Sequence, residues 1–475
     1  MKASNLTLAQ CKKTAVAVLG FGRSGRSVTE LLLGLGITPR VYTQHPLDKS
    51  VTDAYEGRGV TFCFGFPDAF AEGILMRSPG IRPDIAPIRR ALANGAELSG
   101  EVDLFLANTK ARVIGVTGSD GKTTTATLIA ALLRAAGKRV VLGGNNGSPL
   151  LPHLGALGVG DYAVVELSSF QLMTAPAPRV AVLTNLTPNH LNWHTDFLEY
   201  AAAKCRIFHG AERLVTFADD PICAEIATRA ILPVTLFSAK NELPPPQRSG
   251  DGCVFVKNGA LVMLGAEGER TLDVLCDFSL PGVHNLQNLA AAVGAACDIV
   301  SEEHVRYALK GFAGVPHRLQ TVGVVRGVRY IDSSIDTSPT RVAAALAALG
   351  EKPLVIAGGR GKGIDLAPLA DTLAAGARAV FLYGETAAEI AKGLGTRVPH
   401  LMFELFADAF LAAADAAVPG ESVLLSPGCT AFDQFRDFEH RAEVFCHLVK
   451  GLERKNSGTL QADSRHGGLD ERHGL

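Results

Sequence analysis

A glycine-rich segment between an apolar run and a helix-like run constrains the fold of this chain more than any other stretch. It follows the apolar run 113–116, precedes the Ala/Leu-rich run 126–136 and reads Gly118-Ser119-Asp120-Gly121-Lys122-Thr123-Thr124. In a strand, loop and helix arrangement, glycines let backbone N–H groups turn toward phosphate oxygens, and the helix N-terminus adds positive potential. The segment therefore predicts a phosphate-binding loop for a nucleoside triphosphate.

The side chains at the end of this loop have expected roles. Lys122 is predicted to neutralise phosphate charge, and the hydroxyl of Thr123 is predicted to hold Mg²⁺. The longer phosphate-loop pattern has a further glycine upstream, so this chain matches a shortened Gly-x-x-Gly-Lys-Thr form. Such a match is weak by itself. Its placement between a strand and a helix, with Gly137 as a helix stop, favours phosphate binding over an ordinary glycine turn.

The composition indicates a large cytoplasmic enzyme. The chain has 475 residues and a formal charge of −1, and its nine cysteines form no Cys-x-x-Cys pair. We therefore expect about three domains, reduced thiols and no nucleic-acid partner. No apolar run reaches the roughly eighteen residues of a spanning helix, and residues 1–13 lack the pattern of a secretory signal, so no membrane insertion is expected.

Apolar strand-like runs alternate with Ala/Leu-rich helical runs, which predicts an α/β fold with mainly parallel sheets. The strand-like runs are 14–19, 113–116, 162–166, 180–183, 354–356, 379–383 and 422–425. Glycines follow three of them and mark sheet edges that face ligands. We predict three domains, each with a mainly parallel sheet, and a disordered tail. These are a Rossmann-like domain at 1–108, a phosphate-loop ATPase domain at 109–315, a Rossmann-like domain at 316–454 and the tail at 455–475.

The first predicted domain carries a second glycine motif, Gly20-Phe21-Gly22-Arg23-Ser24-Gly25, directly after a strand-like run. This arrangement can seat a pyrophosphate on backbone amides. A nicotinamide cofactor would need Asp or Glu about twenty residues further on, but the second strand ends in Thr43-Gln44. A redox dinucleotide is therefore disfavoured. The motif favours another diphosphate such as a UDP-sugar, and close helix packing is the alternative.

Polar residues at two strand ends of the middle domain indicate a metal site beside the phosphates. Glu166 ends the run 162–166, and His190 follows the run 180–183. A carboxylate at such a strand end can hold a metal ion, and the neighbouring strand end is where a second ligand is expected. A structural or exposed role for His190 is equally consistent with the sequence. By composition alone, Lys204 is expected to be an exposed helix lysine.

Six motifs in order, from about Thr14 to Phe445, make the chain similar to the Mur ligase family. They are Thr117-Gly118-Ser119-Asp120-Gly121-Lys122-Thr123, Gly143-Gly144-Asn145-Asn146-Gly147, Glu166-Leu167-Ser168-Ser169-Phe170-Gln171-Leu172, Gly282-Val283-His284-Asn285-Leu286-Gln287-Asn288, Pro316-His317-Arg318, and Leu424-Leu425-Ser426-Pro427 continuing through Asp433-Gln434-Phe435 to Phe438-Glu439-His440-Arg441. The family has a UDP-binding, an ATPase and an amino-acid-binding domain, which agrees with the three predicted domains.

The resemblance implies an ATP-dependent, ADP-forming amide ligase of peptidoglycan precursor synthesis, a part of cell wall biogenesis tied to cell shape and cell division. A substrate carboxylate attacks the γ-phosphate to give an acyl phosphate, and an amine then displaces phosphate. Within the family, the motifs are most similar to ligases that add D-glutamate to UDP-N-acetylmuramoyl-L-alanine. The implied partners are those two substrates and ATP, together with two Mg²⁺ ions and a carbamate derived from CO₂. A monomer is expected.

The resemblance also implies the site residues. The catalytic residues are Lys122, Glu166, His190 and Lys204, and Lys204 corresponds to the carbamylated lysine of the family. The metal ligands are Thr123, Glu166, His190 and carbamylated Lys204. The ATP contacts are Gly118, Ser119, Asp120, Gly121, Lys122, Thr123, Thr124, Asn285, Asn288 and Arg318. The contacts to the UDP-linked substrate are Gly22, Arg23, Ser24, Ser78, Gly80, Asn145 and Ser168. The amino-acid contacts are Thr337, Lys362, Thr430 and Phe438.

The chain departs from the family pattern near the expected ribose and glutamate contacts. Ser333 and Ile335 stand where many relatives have a carboxylate and a lysine, and Thr430-Ala431 moves a pocket hydroxyl by one residue. The uracil contacts near Thr43 stay unassigned. Two alternatives therefore remain open: a sibling ligase that uses L-glutamate or another amino acid, and a non-catalytic nucleotide or UDP-sugar sensor.

Overall fold

The protein, seen in a computed structural model, divides into two compact units, residues 1–312 and 313–475. The structure describes residues 3–188, 193–266, 268–280, 282–312, 314–361 and 365–456. In those ranges no helix combines the length and the apolar character that crossing a membrane requires.

The first sheet of unit one is parallel and has the strand order β3-β2-β1-β4-β5. Its strands are β1 (Val16–Leu19), β2 (Arg40–Thr43), β3 (Thr61–Phe64), β4 (Ile74–Arg77) and β5 (Glu97–Ser99), and the helices of this region are α1 (Leu8–Cys11), α2 (Arg23–Gly34), α3 (Lys49–Glu56), α4 (Ala86–Ala93) and α5 (Glu101–Asn108). The strand order reverses at β1, which places a crevice at the carboxyl ends of β1 and β4.

The second sheet of unit one has nine strands in the order β14-β13-β12-β11-β10-β9-β6-β8-β7. Its strands are β6 (Arg112–Thr117), β7 (Val140–Gly144), β8 (Tyr162–Glu166), β9 (Val180–Leu183), β10 (Arg213–Phe217), β11 (Val234–Ser238), β12 (Gly252–Lys257), β13 (Ala260–Gly265) and β14 (Gly268–Leu272). The helices are α6 (Lys122–Ala135), α7 (Ser169–Leu172), α8 (Phe197–Cys205), α9 (Pro221–Arg229), α10 (Val283–Ala296) and α11 (Glu302–Lys310). Strands β12 to β14 pair antiparallel, and all other pairs are parallel.

The sheet of unit two has the order β15-β16-β20-β17-β18-β19, and only the β15–β16 pair is antiparallel. Its strands are β15 (Gln320–Val325), β16 (Val328–Asp332), β17 (Leu354–Gly358), β18 (Ala379–Tyr383), β19 (His400–Phe403) and β20 (Ser422–Gly428). The helices are α12 (Pro339–Leu349), α13 (Ala367–Gly376), α14 (Ala387–Leu394), α15 (Phe406–Ala416) and α16 (Phe438–Asn456).

The central strands of the large sheet are apolar because both of their faces are buried. In β8, Tyr162 and Val164 pack into one hydrophobic cluster, while Ala163 and Val165 pack into another on the opposite face. Successive side chains of a strand point to opposite faces, so a strand covered on both sides needs a continuous apolar run. This arrangement, with its mainly parallel sheets, confirms the predicted α/β fold.

All seven predicted strand-like runs form strands. The run 113–116, for example, lies within β6, and the run 422–425 begins β20. Helix α16 continues to Asn456, so the first two residues of the predicted tail 455–475 are helical, and the rest of that tail lies outside the described residues. The three-domain division at 108 and 315 stays a prediction.

Candidate active site

The predicted phosphate loop joins the end of β6 to the start of α6. Its two glycines have positive φ angles, 151° at Gly118 and 77° at Gly121, a region that favours glycine. A Cβ atom at Gly118 would lie 1.8 Å from Thr184 Oγ1, and one at Gly121 would lie 2.3 Å from Asn288 Oδ1. Both positions therefore require glycine for their backbone conformation and for space.

Residues after β9 fix the other side of this loop. Asp120 N donates to Asn185 Oδ1 at 2.9 Å, and Thr184 Oγ1 donates to Asp120 O at 2.5 Å. Ser119 N donates to Asn185 O at 3.0 Å, and Ser119 Oγ lies 2.9 Å from the hydroxyl of Tyr200. Thr184, Asn185 and Tyr200 were not predicted as site residues. The one signal available for Thr184 and Asn185 was their place directly after a strand of the same sheet.

Two lysines meet at the carbonyl groups of the loop. Lys122 Nζ donates to Gly118 O at 2.9 Å and to Ser119 O at 2.8 Å. Lys204 Nζ donates to Gly118 O at 2.7 Å and to Thr117 Oγ1 at 3.3 Å. Lys204 is 2% exposed, so the exposed position expected from composition is wrong. Its helix, α8, packs the lysine against the phosphate loop.

The environment of Lys204 disfavours a protonated amine. Burial lowers the pKa of Lys204 well below its usual value, and the charge of Lys122 lowers it further, against the opposing effects of Glu166 and Asp120. A lowered pKa increases the fraction of neutral, nucleophilic amine at a given pH. Lys204 is therefore suited to covalent chemistry that an ordinary surface lysine performs poorly.

Glu166 provides the observation that bears most directly on metal binding. It ends β8, next to β6, and is 2% exposed. Its Oε1 accepts a hydrogen bond from Asn145 Nδ2 at 2.8 Å, whereas its Oε2 is buried without a hydrogen-bond partner among the described residues. A buried carboxylate oxygen without a partner is costly, and a cation removes that cost.

The oxygen donors predicted for the metal, Glu166 and Thr123, are of the type that Mg²⁺ prefers. Thr123, at the second position of α6, offers a hydroxyl beside the loop. Among the residues that the structure describes, no three His, Cys, Asp or Glu side chains gather into a metal site, and the predicted ligand His190 lies outside them. Mg²⁺ suits such a site because it is commonly held by one or two protein oxygens together with phosphates and water.

Two asparagines of α10, both predicted as ATP contacts, lie beside the phosphate loop; the contact with ATP stays a prediction. Thr125 Oγ1 donates to Asn288 Oδ1 at 3.2 Å, and Asn288 Nδ2 donates to Asn285 Oδ1 at 3.4 Å. The start of α10 therefore lies against the start of α6, which also carries Thr124 in its first turn.

The crevice of the first sheet combines a helix N-terminus with unpaired hydroxyls. Gly22 is the N-terminal cap of α2, and it is followed by Arg23 and Ser24. Thr43 Oγ1, at the end of β2, and Ser78 Oγ, directly after β4, are buried and have no hydrogen-bond partner in the described part of the chain. Unpaired polar groups at the ends of the two strands that flank β1 fit a polar ligand such as a nucleoside diphosphate. Thr43 is a candidate that the sequence alone did not identify.

Other residues predicted to contact the UDP-linked substrate already have structural partners. Arg23 Nη1 lies 3.5 Å from Gly147 O, and Gly80 O accepts a hydrogen bond from Trp193 Nε1 at 3.1 Å. Ser168 Oγ accepts from Gln171 N and donates to Gln171 Oε1, because Ser168 caps α7. These contacts join the crevice of the first sheet to loops of the second.

A buried carboxylate lies beneath this junction. Burial raises the pKa of Asp103, on α5, to about 6, against the hydrogen bond from Thr174 Oγ1 at 2.6 Å and the charge of Arg77. The guanidinium of Arg77 donates to Ile81 O at 2.7 Å and to Phe170 O at 2.9 Å. Arg77 therefore ties the segment after β4 to α7.

Replacing Asp103 with asparagine should change the pH dependence of stability. A carboxyl whose pKa is raised from 3.8 to about 6 on folding binds more protons in the folded state, so its contribution falls as pH rises from about 4 to 6. We expect the free energy of unfolding of the wild type to fall relative to Asp103→Asn by about 2 kcal/mol between pH 4.5 and 7. The measurement is denaturant unfolding of both proteins across this pH range, and the same pH dependence in both would contradict the prediction. Asp53→Asn, at an exposed position of α3, is the control and should keep the pH dependence of the wild type.

The predicted amino-acid residues of unit two lie near the carboxyl ends of β16 and β20. Thr430 Oγ1 donates to Arg360 O at 2.8 Å. Phe438 begins α16, and its ring centroid lies 6.1 Å from that of His317, the neighbour of Arg318. Thr337 follows β16, and Lys362 lies outside the described residues.

A buried arginine that was not assigned a role organises these loops. Arg441 is fully buried in α16 and donates to Ser334 O at 3.0 Å and to Cys429 O at 3.3 Å. Its Nη1 also donates to Tyr383 Oη at 3.0 Å. Asp332, the residue before Ser333, is fully buried, and its Oδ2 lies 2.8 Å from His317 Nδ1.

Comparison with known proteins agrees with the motifs. Residues 116–296 match the Mur ligase middle domain, and residues 317–429 match the glutamate ligase domain of Mur ligases. The chain is 35% identical over 461 residues to UDP-N-acetylmuramoylalanine–D-glutamate ligase of Ruminiclostridium cellulolyticum, covering 93% of this chain and 97% of the relative. It is 37% identical over 450 residues to the ligase of that name from Symbiobacterium thermophilum, covering 92% and 98%.

Solved structures share the fold. UDP-N-acetylmuramate-alanine ligase MurC from Thermotoga maritima superposes with a TM-score of 0.54 at 17% identity, covering 92% of this chain and 99% of that one. MurF ligase from Thermotoga maritima has a TM-score of 0.54 at 18% identity, covering 88% and 96%. The ordered motifs, the matched domains and the near full-length similarity to curated relatives show that this chain belongs to the Mur ligase family.

Proposed function

We propose that the chain is an ATP-dependent, ADP-forming ligase that adds D-glutamate to UDP-N-acetylmuramoyl-L-alanine in peptidoglycan precursor synthesis. Relatives that it matches over more than nine-tenths of its length carry the name of this activity. The structural observation that carries the proposal is Glu166 Oε2, which is buried at the strand end beside the phosphate loop and has no hydrogen-bond partner among the described residues. Membership of the Mur ligase family implies ATP and Mg²⁺.

The arrangement supports phosphoryl transfer to a carboxylate. An oxygen of the substrate carboxylate attacks the γ-phosphorus of ATP, ADP leaves, and an acyl phosphate forms. The amine nitrogen of glutamate then attacks the acyl carbon, phosphate leaves, and the amine loses a proton. Lys122 and the backbone N–H groups at the start of α6 would bind and align the phosphates, which is most of what such a transfer requires of a protein. Bound Mg²⁺ supplies further neutralisation of phosphate charge, and Glu166 and Thr123 would hold it.

We assign a carbamate to Lys204. The neutral amine attacks CO₂, an N–C bond forms and one proton leaves, which turns a neutral buried amine into an anionic carbamate. Lys122 and Lys204 both donate to Gly118 O, so two protonated amines repel each other there. A carbamate would replace that repulsion with attraction and would add an oxygen ligand near Glu166. His190 is proposed as a further metal ligand on the basis of the family motif.

We place the UDP moiety in the crevice of the first sheet. The proposal rests on the N-terminus of α2 and on the hydroxyls of Thr43 and Ser78, which are buried and have no hydrogen-bond partner within the ranges that the structure describes. Asn145, which donates to Glu166 Oε1, would contact the acyl end of the same substrate. The crevice of the first sheet would then hold the UDP end of the substrate, and the region of Asn145 and Glu166 would hold its acyl end.

Replacing Thr43 with valine should weaken binding of the UDP-linked substrate without harming the fold. Valine keeps the shape and removes the hydroxyl, so KM for that substrate should rise about two- to tenfold while KM for ATP is unchanged. Removal of an unpaired buried hydroxyl should leave the unfolding temperature equal or higher. Thr61→Val, at an exposed position of β3, is the matched control. An unchanged KM for the UDP-linked substrate would exclude Thr43 from the site.

The identity of the acceptor amino acid is the part of the proposal for which a specific alternative exists. Thr430 uses its hydroxyl as a donor to Arg360 O, and Ala431 is buried and apolar. Because this pocket departs from the family pattern, L-glutamate is the second candidate for the acceptor.

The decisive experiment is phosphate release that depends on ATP, Mg²⁺ and UDP-N-acetylmuramoyl-L-alanine, with a panel of amino acids and both glutamate enantiomers. Release with D-glutamate alone, and a product of the corresponding mass, is the expected result. Release only with L-glutamate would keep the mechanism and overturn the specificity. Absence of phosphate release with every amino acid would favour a non-catalytic nucleotide or UDP-sugar sensor.

A further inference from the structure

Three side chains form a clasp between the loop after β4 and the segment that leads into α8. The clasp consists of Arg82, Trp193 and Glu199. The guanidinium carbon of Arg82 lies 4.8 Å from the centroid of the Trp193 ring, and Arg82 Nη2 pairs with Glu199 Oε1 at 3.1 Å. Arg82 Nη1 also donates to Trp193 O. Trp193 Nε1 completes the clasp by donating to Gly80 O at 3.1 Å.

The clasp connects the two halves of the proposed site. Gly80 belongs to the loop that begins with Ser78 in the crevice of the first sheet. Glu199 and Lys204 lie on the same helix, α8, so this helix carries both one member of the clasp and the buried lysine. The Trp193 ring also packs at a tilt against the ring of Phe170 of α7, with 4.4 Å between the ring centroids.

Several weak contacts act together in the clasp. The side chains of Arg82 and Glu199 are 25% and 24% exposed, and an ion pair at such a position contributes little by itself. Here the arginine also lies over an indole and pairs with Asp84 Oδ2 at 2.7 Å, while Glu199 Oε2 accepts from Thr195 N at 2.6 Å. Cation–π and hydrogen-bond contacts within one network restrict each other, so the indole N–H is held toward Gly80 O.

We propose that Trp193 and Arg82 are positioning residues that fix the 78–80 loop relative to Lys204, so that binding of the UDP-linked substrate depends on the clasp. The proposal rests on the proposed function, because it takes the crevice to be the UDP site. Neither residue was predicted from the sequence. Their contribution would be to the shape of the crevice, whereas the phosphate loop that binds ATP has its own hydrogen bonds to Thr184 and Asn185.

Trp193 is the only tryptophan of the chain, so tryptophan fluorescence, excited selectively over the seven tyrosines, reports on the clasp. Titration of the wild type with UDP-N-acetylmuramoyl-L-alanine, without ATP, should change the emission with the same saturation curve that calorimetry gives for binding. Calorimetric binding with unaltered emission would overturn the clasp and leave the proposed function intact. Absence of binding in calorimetry would overturn the proposed function, and the role of the clasp with it.

Substitutions separate positioning from mere support of the fold. Trp193→Phe keeps an aromatic ring and loses the donor to Gly80 O, so KM for the UDP-linked substrate should rise about two- to tenfold. Trp193→Ala and Arg82→Met should raise it further, and in all three variants KM for ATP should stay within about twofold of the wild type.

A matched control is available on the other side of the first sheet. Arg58 lies over Tyr55, with 5.3 Å from its guanidinium carbon to the ring centroid, and pairs with Glu30 at 2.7 Å. Arg58→Met removes the same type of cluster away from the crevice and should leave both KM values unchanged. Equal increases of both KM values in the Trp193 and Arg82 variants, or no increase in either, would show that the clasp serves only the fold.

Discussion

Replacement of Lys122 by methionine should abolish most of the activity. Methionine keeps the length and the apolar stem but removes the charge that would neutralise the transferred phosphate, so we expect kcat to fall by about 10²- to 10³-fold or more. ATP should also bind more weakly. The measurement is steady-state phosphate release together with calorimetric titration of ATP.

The control for Lys122 is Lys138→Met, an exposed lysine just beyond the end of the same helix, α6. It should retain full activity and the same unfolding temperature. If the Lys122→Met variant keeps more than about a tenth of the wild-type kcat, Lys122 does not stabilise the transition state as predicted. Nucleotide binding at this loop would then need another source of positive charge.

The second large effect is expected at Lys204. Lys204→Ala should lose about 10²-fold or more of kcat, because the carbamate assigned to Lys204 would no longer orient the metal and the phosphates. ATP should still bind, since Lys122 and the loop backbone are unchanged. Formate or acetate should restore part of the activity, because a small carboxylate can occupy the space of the missing carbamate.

Two results would contradict the carbamate. Full activity of Lys204→Ala would show that the lysine has no catalytic role. Loss of activity without any rescue, in a protein that still binds ATP, would instead favour a role of the amine itself, such as its hydrogen bond to Gly118 O. Activity of the wild type in CO₂-depleted buffer gives an independent measure, because the adduct should be lost there and restored by bicarbonate.

The parts of this site that were predictable from the sequence depend on short stretches of chain. Gly118 and Gly121 indicate a tight loop, and Glu166 ends a continuous apolar run. The order of strand, loop and helix could therefore be inferred from residues that are adjacent in the sequence. The α/β architecture followed for the same reason. Parallel strands buried on both faces leave an unmistakable apolar pattern, as β8 does.

The parts that were not predictable depend on contacts between distant segments. The burial of Lys204 arises from a contact with Thr117, 87 residues away, and Tyr200 meets Ser119 across 81 residues. Arg441 reaches Ser334 across 107 residues. A single sequence contains no periodicity for such pairs, because they are set by how helices pack on the sheet. The exposed position expected for Lys204 therefore followed from its residue type, and tertiary packing overrode it.

The two glycines of the phosphate loop have a consequence for inhibition. A side chain at Gly118 would overlap Thr184, and one at Gly121 would overlap Asn288, so substitution at either position should disrupt the conformation of the phosphate loop. A compound that hydrogen-bonds the backbone of this loop contacts groups that mutation of the side chains cannot remove. Resistance to such a compound would have to arise elsewhere, in contacts it makes beyond the loop or in the amount of enzyme that the cell produces.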